Sequence, residues 1–75
     1  MRKGDQYFRY VEWSDEDQIY IGRCPDLFLG GCHGNDPVKV YAELCGLVEE
    51  DVTGREREGK PLPEVKTHAP DLAAA

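Results

Sequence analysis

One stretch of the chain, from Tyr20 to Asp36, constrains the fold more than any other. It begins as a β-rich segment that ends at Cys24, passes through a Pro-Asp turn, and returns through a glycine-rich segment. Pro37 follows directly, and proline suits the first position of a helix because its missing N–H would have no helical acceptor there. The carboxylate of Asp36 can accept a hydrogen bond from the first helical turn. The stretch therefore predicts a strand, a turn, a short return strand and a helix.

The residues before this stretch predict a β-hairpin. Residues 1–4 are expected to be a frayed start, and residues 6–13 are rich in the aromatic and β-branched side chains that favour strands. The polar run 14–18 predicts a turn, and residues 18–24 predict the second strand. A third strand is expected around Gly31–Gly34. Aromatic residues on both faces of the first strand indicate a helix on one face of the sheet and a subunit contact on the other.

A long amphipathic helix is predicted after Pro37. Gly54 weakens its last turns, so the helix is expected to end between residues 53 and 58. Gly59 can adopt the left-handed backbone conformation that ends many helices, and Pro61 prevents the helix from continuing. Asp51 is expected to pair with Arg55 one turn later. Apolar residues at three- and four-residue spacing form the predicted buried face: Tyr41, Leu44, Cys45, Val48 and Val52, widened by Val40 and Leu47.

The predicted fold class is α+β, with a three-stranded antiparallel sheet in the order β-β-β-α and one helix packed on one face. A short edge strand near Glu64–Lys66 would complete it, since proline is tolerated at sheet edges. The predicted domain runs from residue 5 to residue 66, and residues 67–75 are expected to be a disordered tail. A chain of 75 residues forms only a small core, so a homodimer or higher oligomer is expected.

Charge and cysteine content exclude several classes of protein. The formal net charge is -6, from 9 basic and 15 acidic residues, and the bases form no stripe that could neutralise phosphates. Direct DNA binding is therefore not expected. The chain has no apolar run long enough for a membrane span. Its 3 cysteines cannot complete a disulfide set, and no secretory signal precedes the first strand, so a cytoplasmic location is expected.

Three groups of residues have the side-chain types of reactive sites, but none is expected to be one. Cys24, Cys32, His33 and Cys45 lack the short ligand spacing of a closed zinc site, and buried structural thiols fit them better. A Cys32–His33 nucleophile and base would have to meet through space, which neighbours on a strand do not. The acids 15–17, with Asp26 and Asp36, would have to converge on two metal ions, but acids in one turn splay outward. We therefore predict no catalytic residue, no metal, no cofactor and no enzyme activity.

Three motifs occur in order along the chain, at 25–27, 34–36 and 59–63. In this order they resemble the HicB family of small antitoxin-like proteins, in which a strand, Pro-Asp-Leu, Gly-Asp-Ser/Thr, a long helix and Gly-Lys-Pro-Leu-Pro follow one another. The resemblance runs from about residue 7 to residue 63 and implies a partial ribonuclease-H-like fold. Gly34 is expected to need a backbone conformation closed to β-branched residues. The residues that form the structural motif are Pro25, Asp26, Leu27, Gly34, Asn35, Asp36, Pro37 and Gly59.

The resemblance implies that the protein is an antitoxin. It would bind a small basic RNA-cleaving toxin of the HicA type and mask its catalytic surface, and an acidic protein suits such a partner. Many family members also carry a C-terminal DNA-binding module, for which this sequence shows no motif. The alternative is a solitary homo-oligomeric HicB-like binding or structural module without a toxin partner.

The partner-binding surface is expected in the hairpin turn and in the loop after the second strand. Phe28 and Leu29 stand where the family typically has Pro-Gly, and they either tuck under the helix as core or form an apolar contact patch. The predicted partner-binding residues are Asp15, Glu16, Asp17, Asp26, Leu27, Phe28 and Leu29.

Overall fold

Three antiparallel strands and one long helix make up the fold. The computed structural model describes residues 2–28 and 30–68, and in these residues the strands lie in the order β1-β2-β3. The helix packs against all three strands. The α+β prediction is thus confirmed. The elements are a 3-10 turn at Lys3–Gln6, β1 at Tyr10–Ser14, β2 at Ile19–Arg23, β3 at Gly31–Gly34 and α1 at Pro37–Arg57.

The beginning of the chain differs from the prediction. Residues 3 and 4 belong to the 3-10 turn rather than to a frayed start, and β1 begins only at Tyr10. The cause is Tyr7, whose ring is 2% exposed and whose hydroxyl donates a hydrogen bond to the carbonyl oxygen of Pro63 at 2.5 Å. Gly4 is buried as well, and it lies so close to the helix that a Cβ there would be 3.0 Å from the side chain of Val48. Contacts with distant residues therefore replace the first half of the predicted strand.

The face of the sheet toward the helix is built from small residues at its centre. Cys32 pairs with Gly22, and a Cβ on Gly22 would lie 3.2 Å from both Val40 and Leu44. Gly34 approaches the helix in the same way, since its Cβ would lie 3.0 Å from Val40. Its backbone has no positive φ, so the expected special conformation of Gly34 is wrong. The glycine allows close packing instead.

This close packing sets which side of the helix is buried. The buried positions follow one another at four-residue spacing and place Val40 and Leu44 opposite the glycines of the sheet. The predicted stripe is therefore displaced: Tyr41 is 46% exposed and Cys45 is only half-buried. The fully buried helix residues are Val40, Leu44, Val48 and Val52.

Both ends of the helix form as the local sequence predicts. The Asp36 carboxylate accepts a hydrogen bond from the backbone N–H of Val38 at 2.9 Å, and Pro37 occupies the first turn. At the other end Gly59 has a φ of 71°, and the N–H of Lys60 donates to the carbonyl of Arg55 at 2.8 Å. This is the left-handed helix stop expected of glycine at that position.

The segment after the helix contains no strand within residues 60–68, so the predicted edge strand near Glu64–Lys66 is wrong. Pro61 and Pro63 have no N–H to donate to a neighbouring strand. The N–H groups that follow are bound by a side chain, as described below. Leu62 and Val65 pack against the core, which holds this segment on the body of the protein.

Candidate partner-binding surfaces

The β1–β2 turn forms an exposed acidic tip. Asp15, Glu16 and Asp17 are all exposed, and no basic side chain within the described residues forms an ion pair with them. The turn is held by its own polar groups: the Ser14 hydroxyl accepts from the N–H of Asp17 at 3.2 Å. We call these three residues the acidic tip. Their carboxylates are available to attract a positively charged molecule.

Asp26 has a structural role. Its carboxylate accepts hydrogen bonds from the N–H groups of Lys66 and Thr67 at 2.8 and 2.9 Å, and from the Thr67 hydroxyl at 3.0 Å. The backbone N–H of Thr67, followed by that of Lys66, holds the pKa of Asp26 below its ordinary value. Thr67 is the first residue of the predicted tail, and residues 69–75 of that tail lie outside the described residues. Asp26 therefore fastens the C-terminal segment to the β2–β3 loop.

We expect Asp26→Asn to lower the melting temperature at neutral pH. The melting temperature of the variant should also fall less than that of the wild type as the pH is lowered. A depressed pKa in the folded state contributes stability that is present above the unfolded value, ordinarily 3.8, and is lost as the pH falls through the folded value. Thermal unfolding followed by circular dichroism between pH 7 and pH 3 measures both effects. Glu64→Gln, an exposed acid on the same segment, is the matched control. An acid profile of Asp26→Asn identical to that of the wild type would contradict this role.

The three apolar residues of the predicted surface have different environments. Leu27 is 7% exposed and belongs to the core, so it is not accessible to a partner. Phe28 is half-buried and packs against that core with part of its ring at the surface. Leu29 lies outside the described residues. Phe28 thus packs in part against the core, and the remaining part of its ring is exposed at the surface.

The exposed part of Phe28 lines a groove between the β2–β3 loop and the helix. The groove has a volume of about 430 Å³, with Phe28 and Leu47 as its apolar walls. Asp51 on its rim is held by Arg55 at 2.8 Å, whereas Glu50 forms no ion pair within the described residues. We call this the Phe28 groove. The residues that line it are Phe28, Gly30, Gly31, Leu47, Glu50 and Asp51.

The structure places most of the acidic tip apart from Phe28, and only Asp17 of the tip lines a hollow together with Gly30 and Gly31. The acidic tip precedes β2, and the loop with Phe28 follows it, so the five residues of β2 lie between them. At about 3.3 Å per residue, the two parts are some 15 Å apart along the strand. The acids that line a groove with Phe28 are Glu50 and Asp51 of the helix. The sequence did not indicate that Leu47 and Glu50 line a surface groove, because the helix periodicity placed Leu47 only on the buried face.

The sheet face opposite the helix is a second surface with apolar character. Tyr10, Ile19 and Ile21 are half-buried on this face, which no element in the described part of the chain covers. Glu12 and Arg23 form an ion pair across it at 2.6 Å. A hollow of about 420 Å³, lined in part by the two isoleucines and His33, lies beside β3. We call this the open face of the sheet.

The cysteines have the environment of structural thiols. Cys24 and Cys32 are buried, and burial raises the pKa of both, which favours the unreactive protonated form. Cys32 faces the helix and donates a hydrogen bond to the carbonyl of Val40, while His33 is exposed on the open face. Within residues 2–28 and 30–68, no three His, Cys, Asp or Glu side chains are grouped as metal ligands would be.

No protein-family model, curated protein or solved structure matches this chain. The resemblance to the HicB family therefore stays a prediction that rests on the three sequence motifs. None of the helical residues in the described part of the chain forms a segment both long and apolar enough for a membrane span.

Proposed function

We propose that this is a cytoplasmic, non-catalytic, antitoxin-like protein that binds a small basic RNA-cleaving toxin of the HicA type and masks its catalytic surface. The observation that carries the proposal is the distribution of charge over the surface. Ion pairs hold many of the basic side chains, while the acidic tip has no basic partner within the described residues. The bases held in ion pairs are Arg2, Lys3, Arg23, Arg55 and Lys60.

This arrangement suits recognition of a basic protein. Acids without local counter-charges attract a cationic surface over a distance of about 8–10 Å at moderate salt, which speeds encounter and orients it. A nuclease that binds RNA presents such a cationic surface, because it must neutralise phosphates. The same acids repel nucleic acid. A protein with this surface is suited to compete with RNA for the toxin.

The direct test uses a small basic RNA-cleaving protein encoded beside this gene, and it measures whether the acidic protein inhibits that cleavage. We expect an equimolar amount of the acidic protein to abolish cleavage. Neutralising the acidic tip with Asp15→Asn, Glu16→Gln and Asp17→Asn together should slow association about tenfold at low salt and flatten its salt dependence. The control is a triple variant with the same net charge as the tip variant, and it should associate faster than the tip variant. Its substitutions are Glu56→Gln, Glu58→Gln and Glu64→Gln. Full cleavage at a molar excess of the wild-type protein would refute the proposal.

A second candidate function is self-association into a homo-oligomeric module without a toxin partner. The observation that favours it is the open face of the sheet, where Ile19 and Ile21 are only half-buried. Light scattering at low micromolar concentration should then give a mass of at least twice the 8.5 kDa of one chain. Ile21→Lys should shift the mass to that of the monomer, whereas Val38→Lys on the exposed side of the helix should not. A wild-type monomer would exclude this candidate.

A further inference from the structure

We propose that the partner contributes an extended basic segment that adds to the outer edge of β3 and places an apolar side chain in the Phe28 groove. Lysine or arginine side chains on either side of that apolar residue would lie near Glu43 and Glu50. The inference rests on the proposed function, since it specifies how the basic partner is bound.

The outer edge of β3 is available for pairing. β3 is the last strand of the sheet, and no other strand in the described part of the chain pairs with its outer side. Its sequence, Gly31 to Gly34, has no proline and no acidic or basic residue other than His33. Natural sheets usually protect an edge with such residues, because the row of backbone N–H and C=O groups otherwise pairs with another chain. An unprotected edge suits the addition of an extended segment.

Hollows lie on both faces of the sheet beside this edge. The Phe28 groove lies on the helix side and the hollow of the open face on the other, and both are lined by Gly30 and Gly31. Successive side chains of a strand point to opposite faces of its sheet. A segment paired with β3 would therefore place alternate side chains in the two hollows. Side chains that point to the helix side would lie beside Phe28 and Leu47, and those that point to the open face would lie beside Ile19 and Ile21.

The helix determines which charges the segment must carry. Glu43, Leu47 and Glu50 share one side of α1, because residues four and seven positions apart are neighbours on a helix. Both glutamates are exposed, and neither forms an ion pair within the described residues. Cys32 of β3 donates a hydrogen bond to the carbonyl of Val40, and Glu43 follows Val40 by about one turn of the helix, so this glutamate lies on the part of α1 that packs against the edge strand. Glu50 thus lines the apolar groove, and Glu43 lies two helical turns before it on the same side of α1. Basic residues on either side of an apolar one are their complement.

A second copy of this chain fits the edge poorly. Pairing two β3 strands around a two-fold axis would bring the glutamates of both helices toward the same interface, in a protein whose net charge is already -6. Like charges brought together at an interface oppose association. The occupant we propose is therefore a heterologous basic segment. Self-association through the open face would cover the hollow beside Ile19 and Ile21 and would therefore compete with the segment.

Binding of short labelled peptides to the intact protein tests the inference. The probe is the peptide Ser-Lys-Val-Leu-Val-Lys-Ser, and the control peptide carries glutamate in place of both lysines. Fluorescence polarisation should show binding of the basic peptide only. Nuclear magnetic resonance should show the largest changes at the amides of Gly31–Gly34 rather than in β1. Equal binding of both peptides, or changes centred on β1, would overturn the proposal.

Three charge reversals locate the site. Glu50→Lys at the groove should weaken binding of the basic peptide by about tenfold, equivalent to about 1.4 kcal/mol. Glu16→Lys changes the net charge equally and should change the affinity less than about twofold, because Glu16, unlike Asp17, lines neither hollow beside β3 and exposed charges away from a site are screened. Glu43→Lys is a second groove variant, and circular dichroism checks the fold of all three. Equal losses for Glu50→Lys and Glu16→Lys would show non-specific charge attraction and refute the site.

The same variants separate this inference from the proposed function. If the wild-type protein and Glu50→Lys inhibit the toxin equally well, the binding site is wrong and the antitoxin function stands. If the basic peptide binds at β3 but no toxin is inhibited, the site stands and the antitoxin function is wrong.

Discussion

Gly31→Ala is expected to be the most destabilising small substitution in the chain. A Cβ at this position would overlap the backbone carbonyl oxygen of Gly22 in the neighbouring strand. A backbone atom cannot move away as a flexible side chain can, so β3 must separate from β2. We expect a loss of about 3 kcal/mol or more, which is a large part of the stability of a domain this small. Urea unfolding followed by circular dichroism measures it.

The adjacent glycine is the matched control for this prediction. A Cβ on Gly30 would have no heavy atom within 4 Å. Gly30→Ala is therefore expected to change the free energy of unfolding by no more than about 0.5 kcal/mol. If the two variants unfold at the same urea concentration, the close approach of β2 and β3 at Gly31 is not a feature of the folded protein.

Leu44→Ala should have the second large effect, because it leaves a cavity at the centre of the core. Leu44 is 0% exposed and lies against Gly22 of the sheet. Since glycine has no side chain to fill the space, we expect the substitution to cost about 3 kcal/mol. The midpoint of urea unfolding should fall without a change in its slope, as it does when stability alone is altered.

Val38→Ala is the control on the same helix. Val38 is 75% exposed, so its truncation should change stability by less than about 0.5 kcal/mol. A loss similar to that of Leu44→Ala would mean that the helix presents a different side to the sheet. Tyr41, which the periodicity placed on the buried side, would then be a core residue.

The candidate surfaces could be predicted only in part. The acidic tip follows from three consecutive acids in a hairpin turn, and the structure places all three on the surface. Phe28 was identified as unusual because a large apolar residue occupies a loop. Its groove was not foreseen, because Leu47 is far along the chain and only packing of the helix beside the β2–β3 loop brings the two together. The role of Asp26 in fastening the C-terminal segment was not foreseen for the same reason: its hydrogen-bond donors are some forty residues later.

By itself, the sequence determined the elements whose signals are local. Asp36 and Pro37 start the helix, Gly59 ends it, and the pattern of β-rich and turn residues locates β2 and β3, because capping and turn formation depend on neighbouring residues. The tertiary structure decided what depends on distant contacts. The hydrogen bond from Tyr7 to Pro63 replaces half of a predicted strand, and Asp26 removes N–H groups that an edge strand would need. Only the packed fold determines which partner satisfies a buried hydroxyl or a backbone N–H.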